Sequence, residues 1–78
     1  MQAPNYFLAR RRELGLTQRA IALRLNMTTT AVSQWENGGY PRVELYPRLA
    51  AAYETTVEEI ALAVAREAQQ AVASGTAA

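Results

Sequence analysis

The chain of 78 residues contains no cysteine and no histidine. Without cysteine, neither a disulfide nor a thiolate metal site can reinforce the small core that a chain of this length buries. The lack of histidine removes the usual zinc ligand and the usual general base. Because the sequence also offers no candidate nucleophile, catalytic carboxylate pair or metal-ligand cluster, we expect no metal, no cofactor and no enzymatic activity.

Long apolar segments are missing as well. No run approaches the roughly 18–20 apolar residues that a membrane span requires. The arginines near the N-terminus follow the apolar residues, whereas the basic residues of a signal peptide precede them. We therefore expect one soluble, cytoplasmic domain that does not associate with a membrane.

Lysine is absent too, so the eight basic side chains are all arginines, and they are unevenly distributed. Residues 1–48 contain seven arginines and three glutamates, a net charge of +4, whereas residues 49–78 contain one arginine and four glutamates, a net charge of −3. This asymmetry has two interpretations. The first part of the chain either meets a polyanionic partner or simply presents a solvated charged surface.

The hydrophobic periodicity predicts five helices and no strand. Side chains suited to N-caps precede four of the helices, and they are Asn5, Thr17, Thr28 and Thr56. The spacing of Thr56 and Glu59 is that of a capping box. Residues that favour a helix-ending conformation follow the first three helices, and they are Gly15, Asn26 and the pair Gly38-Gly39.

These signals predict the limits of the helices within a single domain of residues 1–78. The first helix should reach Leu14, and the third should run from Thr28 to Asn37. A fourth helix is expected over about 43–53, although Pro47 favours a start within 44–46 instead. The fifth should cover about 57–73 and leave 74–78 disordered.

Residues 18–37 have the pattern of a helix-turn-helix unit. Two helices that cross steeply need a small residue at their contact, which Ala22 supplies, and a turn residue that tolerates positive φ, which Asn26 supplies. The apolar positions of both helices predict a small shared core, and they are Ile21, Ala22, Leu25, Val32 and Trp35.

With that core facing inward, the geometry of the helix places Thr29, Thr30, Ser33 and Gln34 on the outward side of its second helix. These side chains are polar, uncharged and short, whereas an ordinary solvent-facing helix favours Glu, Lys or Arg. Threonine is also a poor helix former, so its presence at exposed positions calls for an explanation other than helix propensity. The face is suited to contacts with base edges.

The segment LGLTQRAIALRLNMTTTAVSQWENG, residues 14–38, resembles the phage-repressor (lambda repressor-like, Xre-type) helix-turn-helix family. The resemblance extends over roughly residues 6–62. It implies an all-α, five-helix domain that binds double-stranded DNA as a bacterial or phage transcription regulator, most simply a repressor. It further implies a homodimer on a palindromic operator and a location at the nucleoid. The present chain departs from the family in having Asn26 at the usual turn glycine and a longer fifth helix.

The resemblance also assigns roles to individual residues. Base reading in the major groove falls to Thr29, Thr30 and Gln34, with Ser33 beside them. Contacts to the DNA backbone are implied for Thr17, Gln18, Thr28, Asn37 and Arg42, whereas Arg10 either contacts the backbone or lies on a solvated face. Arg11 and Glu36 match an ion pair that ties the first helix to the third.

The fifth helix carries an apolar stripe that includes Ile60, Val64 and Ala68. We expect this stripe to form part of a dimer interface, and the alternative is that it folds back onto the domain's own core. A second function is also compatible with the long helix. The chain is then an antitoxin-like or protein-binding helix-turn-helix module whose last helix binds a partner protein.

Overall fold

The computed structural model describes residues 5–75, and the side chains as far as Gln69. Within this range the protein is all-helical, with five α-helices and one short 3₁₀ turn. The α-helices are α1 (Tyr6–Glu13), α2 (Gln18–Leu25), α3 (Thr29–Glu36), α4 (Tyr46–Ala52) and α5 (Val57–Gly75), and the 3₁₀ turn is Val43–Leu45. The predicted five-helix, all-α fold is confirmed.

Local side-chain chemistry determines where the helices begin. Asn5 accepts a hydrogen bond from the backbone N–H of Leu8 (3.0 Å), and Thr17 accepts one from that of Ala20 (3.1 Å). Thr28 caps α3 and Thr56 caps α5 in the same way, at 3.3 Å and 3.1 Å. All four predicted caps are therefore present, and each stabilises its helix by about 1 kcal/mol.

The ends of the first three helices follow the predicted turn residues. Gly15, Asn26 and Gly38 have φ values of +69°, +56° and +103°. Such values are strained for most side chains but accessible to glycine and, at small cost, to asparagine. The sequence did not lead us to expect the same conformation at Glu54, which has a φ of +53° directly after α4.

The region of the fourth helix is divided into two parts. A 3₁₀ turn comes first, and α4 begins at Tyr46, so that Pro47 lies in its first turn. Proline is tolerated there because its missing N–H has no intrahelical partner in any case. The start at Tyr46 therefore agrees with the range 44–46 that Pro47 favoured, and not with the start at 43.

The core contains residues from all five helices. Phe7 of α1 lies between Trp35 of α3 and Tyr53 after α4, with ring centroids 6.3 Å and 5.5 Å apart. The predicted helix-turn-helix core residues are all buried, and they are Ile21, Ala22, Leu25, Val32 and Trp35. This core fixes α3 against the rest of the domain.

The last helix packs back on this core through Ile60, Ala63 and the partly buried Val64. Ile60 is 0% exposed and offers no surface to a second copy, so the expectation of a dimer contact is wrong for this residue. Ala68 is half-buried.

The far end of the chain was expected to be disordered over 74–78. Instead α5 extends to Gly75, which corrects the expectation for residues 74 and 75, while 76–78 lie outside the described residues. In the described part of the chain, no helix combines the length and hydropathy that crossing a bilayer requires.

Candidate nucleic-acid interface

An open groove of about 290 Å³ lies where the outward face of α3 meets the N-terminus of α2. Its lining is polar and uncharged, and consists of Gln18, Thr29, Thr30, Ser33, Gln34 and Asn37. The structure thus places on one surface the four residues expected to read bases and two of those expected to contact the DNA backbone.

The orientation of α3 follows from its buried side. Val32 and Trp35 are 0% and 5% exposed, so the opposite side of the helix must face solvent. Thr30 and Gln34 are exposed there, while Ser33 is half-buried at the edge. Because α3 is anchored by two large core residues one turn apart, its polar side chains are presented from a rigid support.

A buried ion pair joins α3 to α1. The Nε and Nη2 atoms of Arg11 donate to the two carboxylate oxygens of Glu36, at 2.7 Å and 3.0 Å. The Glu36 side chain is only 4% exposed and that of Arg11 is 16% exposed. The hydrogen bond to Glu36 raises the pKa of Arg11 above its ordinary value despite partial burial. The guanidinium of Arg11 therefore stays charged at any physiological pH.

Gln18 extends this network to α2. Its Nε2 atom donates to the same Glu36 oxygen that accepts from Arg11 Nη2, at 3.0 Å. One carboxylate thus receives hydrogen bonds from α1 and α2 while belonging to α3. The relative position of the two helices that form the groove is fixed at this point.

The N-terminus of α2 borders the groove and carries partial positive charge. The backbone N–H groups in the first turn of any helix lack intrahelical partners, and they favour anions such as phosphate. Thr17 covers one of these groups by accepting from Ala20. Arg19 is exposed in this same turn. We did not identify Arg19 from the sequence, although its position next to Gln18 could have indicated it.

At the other end of the groove, Asn37 and Arg42 differ in their availability. The Nδ2 atom of Asn37 donates to the backbone oxygen of Ser33 (2.7 Å) and lies 3.4 Å from its hydroxyl. The side chain therefore caps the last turn of α3. Arg42 is exposed just before the 3₁₀ turn. Its side chain makes no hydrogen bond or ion pair with another described residue.

A family model for helix-turn-helix domains matches residues 8–60, which is more than half of the chain. The chain belongs to the lambda repressor-like helix-turn-helix family. The family binds DNA and is not an enzyme family, so this protein is a DNA-binding helix-turn-helix regulator. No curated protein and no solved structure matches the chain.

The helix-turn-helix fold uses several arginines for its own construction. Arg10 donates from Nε to the backbone oxygen of Tyr53 (3.0 Å) and from Nη2 to that of Glu54 (2.7 Å). This guanidinium is thereby directed at the C-terminal end of α4. A contact of Arg10 with the DNA backbone stays a prediction, and it would compete with these two hydrogen bonds within the chain.

Two further arginines have the same role in this helix-turn-helix domain. Arg24 donates to the backbone oxygen of Ala52 and to the Glu54 carboxylate, both at 2.9 Å, and Arg48 donates to the backbone oxygen of Leu25. Together with Arg10 and Arg11, four of the seven arginines in residues 1–48 therefore have partners within the protein. The side chains of the remaining three have none among the described residues, and they are Arg12, Arg19 and Arg42.

Proposed function

We propose that this helix-turn-helix protein is a transcriptional repressor that binds a palindromic operator as a homodimer, with α3 in the major groove. The neutral polar face of α3 carries this proposal, because it opens onto a groove while its opposite side is locked into the core. A repressor needs only to occupy its operator, in the cytoplasm and on the nucleoid. Sequence-specific binding through α3 meets that requirement.

Base reading in this proposal depends on the end of the Gln34 side chain and on the threonine methyl groups. A glutamine amide pairs bidentately with the N6 and N7 atoms of adenine, and a threonine methyl packs against the methyl group of thymine. Gln34 and Thr30 are exposed on α3 one turn apart, and Thr29 begins the helix beside them. Ser33 supplies a hydroxyl that can donate or accept at the edge of the groove.

Phosphate contacts set the register of α3 in the groove but carry no sequence information. The N-terminus of α2 offers backbone N–H groups and the exposed Arg19 to one phosphate. Arg42 and Asn37 lie at the opposite end of α3 and suit a second phosphate. The hydroxyls of Thr17 and Thr28 accept hydrogen bonds as helix caps and keep their own protons for donation.

One domain of this size covers a half-site, so that a dimer is needed to reach two half-sites about 34 Å apart. The exposed side of α5 is the surface we assign to the dimer. Val57 and Leu62 are 40% and 50% exposed on this side of the helix, and Ala61 and Ala65 are exposed next to them. Val64 and Ala68, which are partly buried, border this surface. Small alanines allow two helices to approach closely.

The dimer proposal has a direct test in the Leu62→Glu variant. A charge at this exposed position should leave the melting temperature nearly unchanged while sedimentation shifts towards the monomer. Arg66→Glu, also on an exposed part of α5, is the matched control, since it alters charge without removing apolar surface. An unchanged dimer in Leu62→Glu would place the interface elsewhere.

The same apolar surface of α5 favours a second candidate function, in which the helix binds a different protein, as in an antitoxin. Protein binding and DNA binding are compatible, because no residue of α5 lines the groove. Purification that recovers a stoichiometric partner protein, lost in Leu62→Glu, would support this candidate. A pure homodimer under the same conditions would oppose it.

The central experiment compares the specific and non-specific affinities of a Gln34→Ala variant. In-vitro selection on random DNA first provides the operator. Because Gln34 is neutral, its removal should weaken operator binding by about 1–3 kcal/mol per half-site and leave binding to scrambled DNA nearly unchanged. Arg42→Gln is the control and should weaken both alike. An equal loss on both DNAs in Gln34→Ala would show that α3 is not the reading element.

A further inference from the structure

The chain contains three asparagines, and they differ in how firmly the fold holds them. Both ends of the half-buried Asn5 amide are occupied, because it accepts from the first turn of α1 and donates to the backbone oxygen of Trp35. Asn26 is exposed, but the N–H of the next residue, Met27, donates to the backbone oxygen of Ala22 at 2.9 Å. At both positions, hydrogen bonds therefore hold either the asparagine or the residue that follows it.

The third asparagine, Asn37, is exposed at the end of α3 and is followed by a glycine. Among the described residues its side chain hydrogen-bonds to Ser33 alone. The N–H of Gly38 makes no backbone hydrogen bond with another described residue. Gly38 has a φ of +103°, and no atom beyond its neighbours lies within 4 Å of the position that a Cβ would occupy. The carboxamide of Asn37 is therefore next to an unhindered backbone nitrogen.

A backbone nitrogen of this kind can attack the carboxamide of the preceding asparagine. Hydroxide removes the proton of Gly38 N, the nitrogen forms a bond to Cγ of Asn37, and the Cγ–Nδ2 bond breaks, so that ammonia leaves with a proton from water. Water then opens the resulting succinimide ring at either carbonyl group and leaves an aspartate or an isoaspartate. Asn37 must first release Ser33 and rotate, and the missing side chain of Gly38 removes the main steric obstacle to that rotation.

We propose that Asn37 is a site of spontaneous deamidation and that its negatively charged product weakens DNA binding. The reactants are water and the chain itself, with Gly38 as the nucleophile and ammonia as the leaving group. The effect on DNA rests on the proposed function, in which Asn37 lies beside a phosphate at the end of α3. The modification itself does not depend on that function.

A carboxylate at position 37 changes two interactions. It can only accept hydrogen bonds, so it faces the backbone oxygen of Ser33, to which the amide donated, at a helix end that already carries partial negative charge. It also meets the DNA phosphate as a like charge. Two like unit charges about 4 Å apart in water lower an affinity about fivefold, and we expect at least this loss per half-site.

Isoaspartate causes a further disturbance, because it adds one carbon atom to the backbone between positions 37 and 38. The chain has no slack at the next residue. The N–H of Gly39 donates to the backbone oxygen of Gln34 at 2.7 Å, and even a Cβ on Gly39 would lie 2.9 Å from that oxygen. The longer backbone therefore displaces Gly39 from Gln34, which belongs to the reading face of α3.

The modification is tested by peptide mapping with mass spectrometry during incubation of the full-length protein in a mildly alkaline buffer. Asn37 should be converted first, and faster at higher pH, whereas Asn5 and Asn26 should remain amides. Asn37→Gln is the matched control, because it keeps the amide and the charge while its longer side chain would have to close a larger ring, which forms more slowly. Conversion of Asn37 no faster than that of Asn26 would overturn the proposal.

DNA binding is measured on the same samples by fluorescence anisotropy with scrambled duplex DNA at low salt. The wild-type protein should lose affinity as the modified fraction grows, and Asn37→Gln should keep the affinity that it had before incubation. Asn37→Asp, prepared directly, should bind at least about fivefold more weakly than fresh wild-type protein.

Equal binding by Asn37→Asp, in protein that circular dichroism shows to be folded, would overturn the effect on DNA. If this variant does not fold, the incubated wild-type protein decides, and an affinity that is unchanged after complete conversion of Asn37 overturns the effect. A fresh wild-type protein that binds no DNA would instead contradict the proposed function and leave the mapped modification standing.

Discussion

The arginines with partners inside the protein lead to a quantitative prediction on the salt dependence of DNA binding. Seven arginines in residues 1–48 suggest a strongly electrostatic interface. Arg10, Arg11, Arg24 and Arg48, however, donate to carbonyl or carboxylate oxygens of the chain. Two variants distinguish the arginines that have internal partners from those that do not. Arg42→Gln neutralises an exposed arginine, and Arg24→Gln neutralises one that is hydrogen-bonded within the chain.

The magnitude follows from counterion release. Each phosphate neutralised on duplex DNA contributes about 0.9 to the slope of log K against log salt concentration. If all seven arginines met phosphates, the slope per half-site would be about −6. If the phosphate contacts come from Arg12, Arg19 and Arg42 alone, its size should be at most about 3 per half-site. Arg42→Gln should reduce it by about 0.9 per half-site, and Arg24→Gln should leave it unchanged.

Equilibrium binding to scrambled duplex DNA, measured by fluorescence anisotropy over a series of salt concentrations, provides the slopes. Scrambled DNA is used because non-specific binding is almost entirely electrostatic. Thermal melting of Arg24→Gln should show a small loss of stability, since this arginine caps a helix end. A wild-type slope near −6 per half-site would refute the reasoning, as would an equal reduction of the slope by both variants.

Two further predictions concern the stability of the core. Glu36→Ala should lower the free energy of unfolding by about 3–5 kcal/mol, because it leaves the charge of Arg11 without its buried partner. Glu13→Ala is the control, because this side chain is 67% exposed, and it should change the free energy of unfolding by less than about 1 kcal/mol. If Glu36→Ala and Glu13→Ala melted at the same temperature, the Arg11–Glu36 pair would not be a buried one. Burial raises the pKa of Tyr53 above the ordinary value of about 10, so the unfolded chain ionises first and stability should fall as pH rises past about 10. Chemical denaturation at neutral and alkaline pH should show that Tyr53→Phe loses less stability at high pH than the wild-type protein does. At pH 7 the variant should be at least as stable as the wild type, since the Tyr53 hydroxyl has no hydrogen-bond partner among the described residues.

Local signals in the sequence were enough to predict most of the fold. An N-cap needs only a side chain two or three residues ahead of an N–H group, so Thr17 and Thr28 could be identified as helix starts from the sequence alone. A left-handed turn is equally local, and Asn26 was identified by the same reasoning. The buried side of α3 followed from the spacing of Val32 and Trp35. These features together determine which residues line the groove.

The interior face of α5 was harder to predict, because apolar residues occupy more than one side of this helix. Ile60 and Val64 face the core, but Val57, Ala61 and Leu62 are exposed. The hydrophobic periodicity indicates that the helix is amphipathic. It does not indicate which of two adjacent rows of apolar side chains packs against the core. That choice depends on the angle at which α5 leaves α4, and hence on the left-handed conformation at Glu54, which the sequence did not indicate.

The roles of the arginines were also outside the reach of sequence patterns, for a physical reason that connects fold and function. Helices of seven or eight residues leave four carbonyl groups at each C-terminus without intrahelical partners, a large share of their backbone. In a small core without disulfides, long guanidinium side chains can satisfy these groups, and Arg10 and Arg24 do so around the strained Glu54. An arginine that holds a helix end would have to give up these hydrogen bonds in order to turn to a phosphate. We therefore expect affinity and specificity at the groove to depend more on neutral hydrogen bonds from α3 than on the net charge of the first 48 residues.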